Sequence, residues 1–397
     1  MNEQRSRNDA ESILSAAVAL APVIQACRDE IERERRLPMR LVTAMKEAGI
    51  FRMTMPREWG GPELDPLSQL RIIEALSVAD ASVGWCAMIG CDGGYFSGFL
   101  DQEVAREMYA DLDAVTGSAL TLTGRAVVVD GGYRVSGRWP FSSGCQHSTW
   151  LVGGCMVYDD DRPRLRPDGS PETRQCYLPA RDAEILDTWY TTGLRGSGSH
   201  DFAINDYFVP TERTFSYQQL EFRRSGALYR FPMNILFKFT GPPLGVARAA
   251  IDALIEAGQR PSRRIAVGGT AMPVVALRDE DFVQDAVGRA EALLGAARSY
   301  LFEVIGDLYA TLAAPRDPTA RQLAHFSLVH TQVYAMCTEA VELVYKARGG
   351  SAVYASGQLD RCLRDLVTMN QHVVNSLRSY AMGGRILFGL PAEQLLL

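Results

Sequence analysis

The sequence predicts a multi-domain α+β chain: an α-helical N-terminal domain over residues 1–113, a central β-barrel over 114–225 and a C-terminal four-helix bundle over 226–397. Three observations predict it. Apolar residues recur at three- and four-residue spacing through the first ~110 residues. Short β-rich runs punctuated by Gly, Asp and Pro then take over near Val115. The helical period returns at about Met233 and continues through four long amphipathic stretches, the pattern of a bundle. At 397 residues the chain is long enough for two or three packed units.

Taken in order, residues Ala10 to Arg36 carry Ile13, Leu14, Ala17, Leu20, Ile24 and Cys27 on one helical face. A helix follows Pro38 and stops at Gly49. The stretch Met55 to Pro66 (MPREWGGPELDP) is turn-rich. Asp65 before Pro66 supplies an N-cap and a first-turn proline for the next helix, and Asp80-Ala81-Ser82 starts another that carries Val83, Trp85, Cys86 and Ile89.

In the β region, Gly131 to Trp150 (GGYRVSGRWPFSSGCQHSTW) reads as a turn and a strand with Tyr133 and Val135 on one face. A second turn follows at Ser136-Gly137, then a strand into two adjacent hydroxyls, Ser142 and Ser143. Trp139, Phe141 and Trp150 flank the hydroxyls and His147 is close by. Aromatic walls with a few placed hydroxyls suit a flat, mostly apolar ligand. Thr191 to His200 (TTGLRGSGSH) is too polar and Gly-rich for a strand and reads as a loop at the barrel rim.

In the bundle, Leu244, Val246, Ala247, Ala250, Ile251 and Leu254 form one face, and Phe282, Ala286, Ala290, Leu293, Ala297, Tyr300 and Leu301 a second. A third helix starts at Asp317-Pro318 and runs to about Ala347. A last runs from about Asp360 to Arg385, broken at Gly383-Gly384.

A net charge of −6 does not favour a nucleic-acid partner. No uninterrupted apolar run approaches membrane-spanning length, and the N-terminus lacks signal-peptide order. The eight cysteines show neither a CxxC pair nor metal-like spacing. Read together, these place the protein in the cytoplasm, with no metal and no membrane partner. The GxGxS of Gly196 to Ser199 neither follows a strand nor opens a helix, so it is not a dinucleotide fingerprint.

Over nearly its whole length the chain resembles the acyl-CoA dehydrogenase superfamily, and more closely its reduced-flavin monooxygenase branch. The residues that carry the resemblance are MPREWGGPELDP, Ser82 to Trp85 (SVGW), GGYRVSGRWPFSSGCQHSTW, and Gly193 to Ser199 (GLRGSGS) with DYFVP after it. Ala347 to Tyr354 (ARGGSAVY), Arg361 to Asp365 (RCLRD) and the closing FGLP complete the set. Two departures favour oxygenation over dehydrogenation. A dehydrogenase needs a carboxylate base, commonly a Glu shortly after the Arg-Asp pair. Here LVTMNQHVVNS follows Arg364-Asp365, and no Asp or Glu recurs until Glu393. The flavin-facing run is Phe141-Ser142-Ser143-Gly144 where dehydrogenases carry Ile-Thr-Asn-Gly.

The resemblance implies the oxygenase component of a two-component flavin-dependent monooxygenase. It would take reduced flavin (FADH2 or FMNH2) from a separate NAD(P)H-flavin reductase and O2 as co-substrate. Through a C4a-hydroperoxyflavin it would hydroxylate an aromatic or heteroaromatic small molecule of phenol or indole type. A homotetramer is also implied. By position, Ser142 is the hydroxyl at flavin N5 and His372 the acid/base group near the substrate, which with Ser142 makes the catalytic pair. Trp85, Ser118, Phe141, Ser143, Arg263 (or Arg264), Gly349 and Gly350 join Ser142 as flavin contacts. Asp92, Gly93 and Tyr95 are the substrate residues, with Asp92 orienting an amine or N–H and space beside Gly93 and Gly94. Some phenol hydroxylases of the branch carry a His at that point, and this chain does not. The alternatives are an acyl-CoA dehydrogenase or oxidase with its base elsewhere, an N-oxygenase of an amine or amino-sugar, and a non-catalytic flavin-binding protein.

Overall fold

The computed structural model describes residues 9–219, 222–262 and 275–391. Arg263 and Arg264, expected at the flavin phosphate, lie outside the described residues.

The N-terminal helices are α1 (Ala10–Ala19), α2 (Ala21–Glu34), α3 (Met39–Glu47), α4 (Pro66–Ala79), α5 (Ala81–Gly90), α6 (Gly93–Phe96) and α7 (Gln102–Met108). The single helix expected over Ala10 to Arg36 is two, bent by 54° where Pro22 cannot continue the backbone ladder. Both aspartate caps form: Asp65 accepts from the N–H groups of Leu67 and Ser68, and Asp80 from those of Ser82 and Val83.

The β region is one eight-stranded sheet: β1 (Thr116–Val129), β2 (Gly132–Ser142), β3 (Trp150–Asp159), β4 (Arg162–Pro163), β5 (Thr173–Pro179), β6 (Glu184–Leu186), β7 (His200–Pro210) and β8 (Thr214–Phe215). The strand order is β6-β7-β2-β1-β3-β5-β8, with β4 on β3. The β1–β3 pair is parallel and the others antiparallel. The turn expected at Ser136-Gly137 is a register shift inside a continuous β2. Trp139 is fully buried at the centre of the sheet's own core, stacked on Phe202. Glycine is needed around it: a Cβ on Gly124, Gly137 or Gly153 would lie 2.3, 2.8 or 2.6 Å from the indole. Trp139 therefore supports the sheet and does not wall a ligand.

The C-terminal helices are α8 (Gly241–Gly258), α9 (Asp281–Ala313), α10 (Ala320–Arg348), α11 (Gln358–Met369) and α12 (Arg378–Leu387). Between the sheet and α8 runs a 3-10 segment, Pro232–Thr240. Helix α10 is capped by Thr319, with Gln322 closing a capping box, rather than by Asp317. The expected last helix breaks at Asn370–Leu377, not at Gly383-Gly384, which lie within α12. A Cβ on Gly383 would meet Leu328 at 2.6 Å, so that glycine lets α12 press onto α10. The core of α1–α5 is continuous with that of α8–α11, and α4 packs directly on α8. The β-sheet carries its own core beside it. Among the described residues, no single helix is long and apolar enough to cross a membrane.

Candidate functional site

The functional geometry starts at the end of β2, where Phe141 takes φ 63°, a left-handed conformation uncommon for a bulky residue. The strand's register against β7 shifts between Trp139 and Ser142. As a result Phe141 is 68% exposed while Ser142 is fully buried. The Ser142 hydroxyl lies against Gly117 of β1, 3.5 Å from where a Cβ there would sit, and has no hydrogen-bond partner among the described residues.

Ser143 faces elsewhere. Its hydroxyl accepts from the Trp85 indole N–H at 3.0 Å and meets the Ser199 hydroxyl at 2.7 Å. Ser199 in turn meets Ser197 at 2.7 Å, and Ser197 donates to the Leu194 carbonyl at 2.7 Å. This last bond orients the whole series. With the Ser197 proton committed to a carbonyl, Ser199 donates to Ser197 and Ser143 donates to Ser199. A hydroxyl has one proton and two lone pairs. Ser143 has spent its proton and one lone pair, so toward any further group it can only accept.

The loop that carries Ser197 and Ser199 is clamped from both sides. A Cβ on Gly193 would fall 2.1 Å from the Arg364 carbonyl, and one on Gly196 would fall 2.0 Å from Ile31. Leu194 is held at φ 48° while its N–H donates to the Asp365 carboxyl at 2.6 Å and its carbonyl accepts from the Trp189 indole at 2.9 Å. Burial, reinforced by the charge of Asp80, pushes Asp365 up to about 8. Arg364 is occupied by Glu32, Asp360 and the Thr192 carbonyl. Asp365 is the last carboxylate before Glu393 and is committed to this loop, so it is not available as a dehydrogenase base.

His372 sits in the break between α11 and α12. Its ring stacks on Phe239 at 4.4 Å, and Trp85 meets it edge-on at 5.6 Å. Phe239 also meets Trp85 edge-on at 5.7 Å. Nδ1 accepts from the Val374 N–H at 3.3 Å, which puts the ring proton on Nε2. Burial lowers its pKa to about 4, so the imidazole is neutral at ordinary pH. The acid/base role expected of His372 narrows accordingly. With Nδ1 occupied, what it offers is a neutral Nε2–H donor.

The structure thus brings Trp85, Ser143 and His372 together, with Phe141 at the rim, edge-on to Trp189 at 6.2 Å. Ser142 is turned into the sheet. Ser118 is half-buried on β1 and has no side-chain hydrogen bond to this group. Gly349 and Gly350 are exposed at the end of α10, with open space where a Cβ would be. His147, its pKa lowered to about 4 by burial, packs near Phe51. Trp150 donates to the Met108 carbonyl.

The substrate expectations need correction. A Cβ on Gly93 would lie 2.6 Å from Tyr109, and one on Gly94 2.1 Å from the Thr54 carbonyl, so the space expected beside them is filled. Tyr95 is buried among Phe96, Phe99 and Phe222. Asp92 is not free to hold an amine, because its carboxylate is ion-paired with the buried Lys238.

Sequence reasoning missed Lys238, Phe239, the serine relay and the Asp365–Leu194 contact. A lone lysine inside the apolar run Ile235 to Phe239 was a usable signal for the first, because an unpaired lysine is almost never buried.

Two family models match the chain: the acyl-CoA dehydrogenase N-terminal domain over residues 10–124 and the C-terminal domain over 238–377. The chain is similar to the flavin-dependent monooxygenase oxygenase subunit HsaA of Mycobacterium tuberculosis, 29% identical over 396 residues and 97% of each chain. It is 30% identical to a pigment production hydroxylase of Rhodococcus erythropolis over 376 residues, 91% of this chain and 92% of that one. The crystal structure of the HsaA monooxygenase from M. tuberculosis superposes with a TM-score of 0.87 at 28% identity, covering 98% of this chain and 100% of that one.

Proposed function

Since this chain belongs to the acyl-CoA dehydrogenase family, among its flavin-dependent monooxygenases, we propose that it is an oxygenase component that hydroxylates an aromatic or heteroaromatic small molecule. Reduced flavin from a separate reductase, when bound, supplies the chemistry that activates O2 and delivers one oxygen atom. The residues present fit that group. The carrying observation is the fixed direction of the Trp85–Ser143–Ser199–Ser197 relay, which leaves Ser143 as an acceptor only. A reduced isoalloxazine presents an N–H at N5 and an oxidised one does not, so this acceptor favours the reduced ring. Ser143, rather than Ser142, is the hydroxyl we assign to N5. Phe141 and Trp85 would flank the ring. The Phe239–His372 stack would exclude water, which limits proton leakage and loss of peroxide. The His372 Nε2–H would donate to an oxygen of substrate or product.

The dehydrogenase alternative loses support because Asp365 is buried and bonded to Leu194. A homotetramer, which the resemblance implies, would cover some of the exposed apolar side chains on the C-terminal elements, among them Val353, Tyr354, Val373, Leu377 and Phe388. Eight buried free thiols suit a reducing compartment such as the cytoplasm.

The test is anaerobic loading with reduced flavin followed by admission of O2. The protein should delay the return of oxidised-flavin absorbance relative to free flavin. Reoxidation at the free-flavin rate with stoichiometric hydrogen peroxide would contradict the proposal.

A further inference from the structure

Two buried carboxyls, Asp80 and Asp365, line one cavity of about 20 Å³ where α2, α4, α8 and α11 meet around the start of α5. That is room for about one water. Each carboxyl holds backbone with one oxygen. Asp80 Oδ1 accepts from the Ser82 and Val83 N–H groups at 2.9 and 3.2 Å, at the start of the helix that carries Trp85. Asp365 Oδ1 accepts from the Leu194 N–H at 2.6 Å. Leu194 is the residue whose carbonyl takes the Ser197 proton and so sets the direction of the relay. Its φ of 48° costs energy unless the surroundings impose it. The two acids therefore hold the two ends of the relay, Trp85 and Ser197. The second oxygen of each makes no hydrogen bond among the described residues, and neither carboxyl has an ion pair there. The nearby guanidinium groups are spent elsewhere. Arg28 donates to the Ala79 carbonyl and Gln358, Arg361 pairs with Asp29, and Arg364 with Glu32 and Asp360. Two like charges in one buried cavity are unfavourable, so the pair keeps one proton over the neutral range. Burial raises both acids, but two N–H donors and the charges of Arg361 and Arg28 favour the anion at Asp80. The proton stays on Asp365, held at about 8.

We propose that Asp80 and Asp365 are positioning residues that share one proton, and that this proton, by holding Leu194 in place, sets the direction of the relay and with it the preference for reduced flavin. The Asp365 proton bridges to the Asp80 carboxylate, directly or through one water, and ties α11 to the start of α5. Its loss leaves two anions facing each other. Their repulsion draws Asp365 away, Leu194 loses its N–H partner, and Ser197 loses its fixed acceptor. Ser143 is then free to donate. The other charged and titratable groups about the pair do not change over the same range. Arg28, Arg361 and Arg364 stay cationic, and Glu32 is paired with Arg364. Burial keeps the Cys86 and Cys362 thiols neutral, the latter pushed up to about 12. The assignment rests on the relay reading of the flavin contact given above.

The test titrates oxidised and reduced flavin anaerobically into wild type, Asp365→Asn and Asp80→Asn, over a pH range that brackets the Asp365 value of about 8. The quantity followed is the ratio of oxidised to reduced Kd. Titrations of the flavin itself are common to the three proteins and drop out when the wild-type ratio is divided by a variant's. Asp365→Asn keeps an oxygen for Leu194 and a donor for Asp80 but cannot ionise. Asp80→Asn keeps the helix cap and removes the repelling charge. Relative to either variant, the wild-type ratio should fall at least about fivefold as pH rises through the Asp365 value, the smaller effect of leaving one buried acceptor unpaired. A merely structural role would weaken both redox forms together and leave the ratio unchanged. A wild-type ratio that tracks both variants across the range, or an Asp80→Asn ratio that falls against Asp365→Asn, overturns the assignment while leaving the relay reading intact. A wild type with no preference for reduced flavin at neutral pH overturns both.

Discussion

Ser199→Ala is the sharpest perturbation of the proposed flavin contact, because it changes what Ser143 can do without touching Ser143. In the wild type the Ser143 proton is committed to Ser199, 2.7 Å away, so oxidised flavin, whose N5 is an acceptor, would face another acceptor. A buried acceptor left without a donor costs about 1–3 kcal/mol, which corresponds to a roughly 5- to 150-fold preference for the reduced ring from this contact. In Ser199→Ala the Ser143 hydroxyl is free to rotate and donate to oxidised N5. The ratio of oxidised to reduced Kd should therefore fall by about that factor, mainly through tighter binding of oxidised flavin. Ser197 keeps its bond to the Leu194 carbonyl, so the fold should lose only about 1 kcal/mol. The assay is a pair of anaerobic titrations, one with each redox form, on wild type and variant. Using the ratio removes every contact that does not depend on the N5 proton. An unchanged ratio would refute the orientation of the relay.

Three further outcomes follow from the same geometry. Ser142→Ala removes a buried hydroxyl that makes no hydrogen bond among the described residues, so stability by urea denaturation should stay within about 1 kcal/mol of wild type or rise. Peroxide release should increase in Ser143→Ala and not in Ser142→Ala. Asp365 carries a folded-state value of about 8 against an ordinary carboxyl value, so the folded protein holds a proton that the unfolded chain has released. Its stabilising effect is complete below about pH 4 and is lost as pH rises to about 8, on the order of 5 kcal/mol. Asp365→Asn should match wild type in acid and exceed it near pH 8; parallel stability curves would contradict this. His372→Ala should lower turnover about 10²- to 10³-fold, the effect of losing one placed hydrogen-bond donor, while reduced-flavin affinity persists. Because burial holds His372 at about 4, its titration should leave no inflection in the wild-type profile between pH 5 and 8.

Much of the fold was legible because caps and hydrophobic period are local. Asp65 and Asp80 cap the helices their spacing predicted, and Val115 marks the passage to strands. The site was legible as a neighbourhood: Trp85, the Ser142-Ser143 pair and His372 were all singled out, and three of these four side chains meet. Which serine faces inward was not legible, because it turns on one left-handed residue, Phe141, where β2 loses its alternation. The break that frees His372 was misplaced for a related reason. Glycines at 383 and 384 read as a helix stop in one dimension, whereas in three they let α12 approach α10. The Lys238–Asp92 pair joins residues 146 positions apart, and no periodicity reports such a contact.

The central claim is that this protein inserts one atom of O2 into an aromatic ring. Turnover under ¹⁸O₂ with reduced flavin and 2-naphthol, followed by mass spectrometry of the product, tests it directly. One ¹⁸O atom per hydroxylated molecule, with peroxide as the minor fate of the oxygen, is the predicted result. Complete conversion of the oxygen to hydrogen peroxide with no labelled product, together with bleaching of protein-bound oxidised flavin by an acyl-CoA, would contradict it.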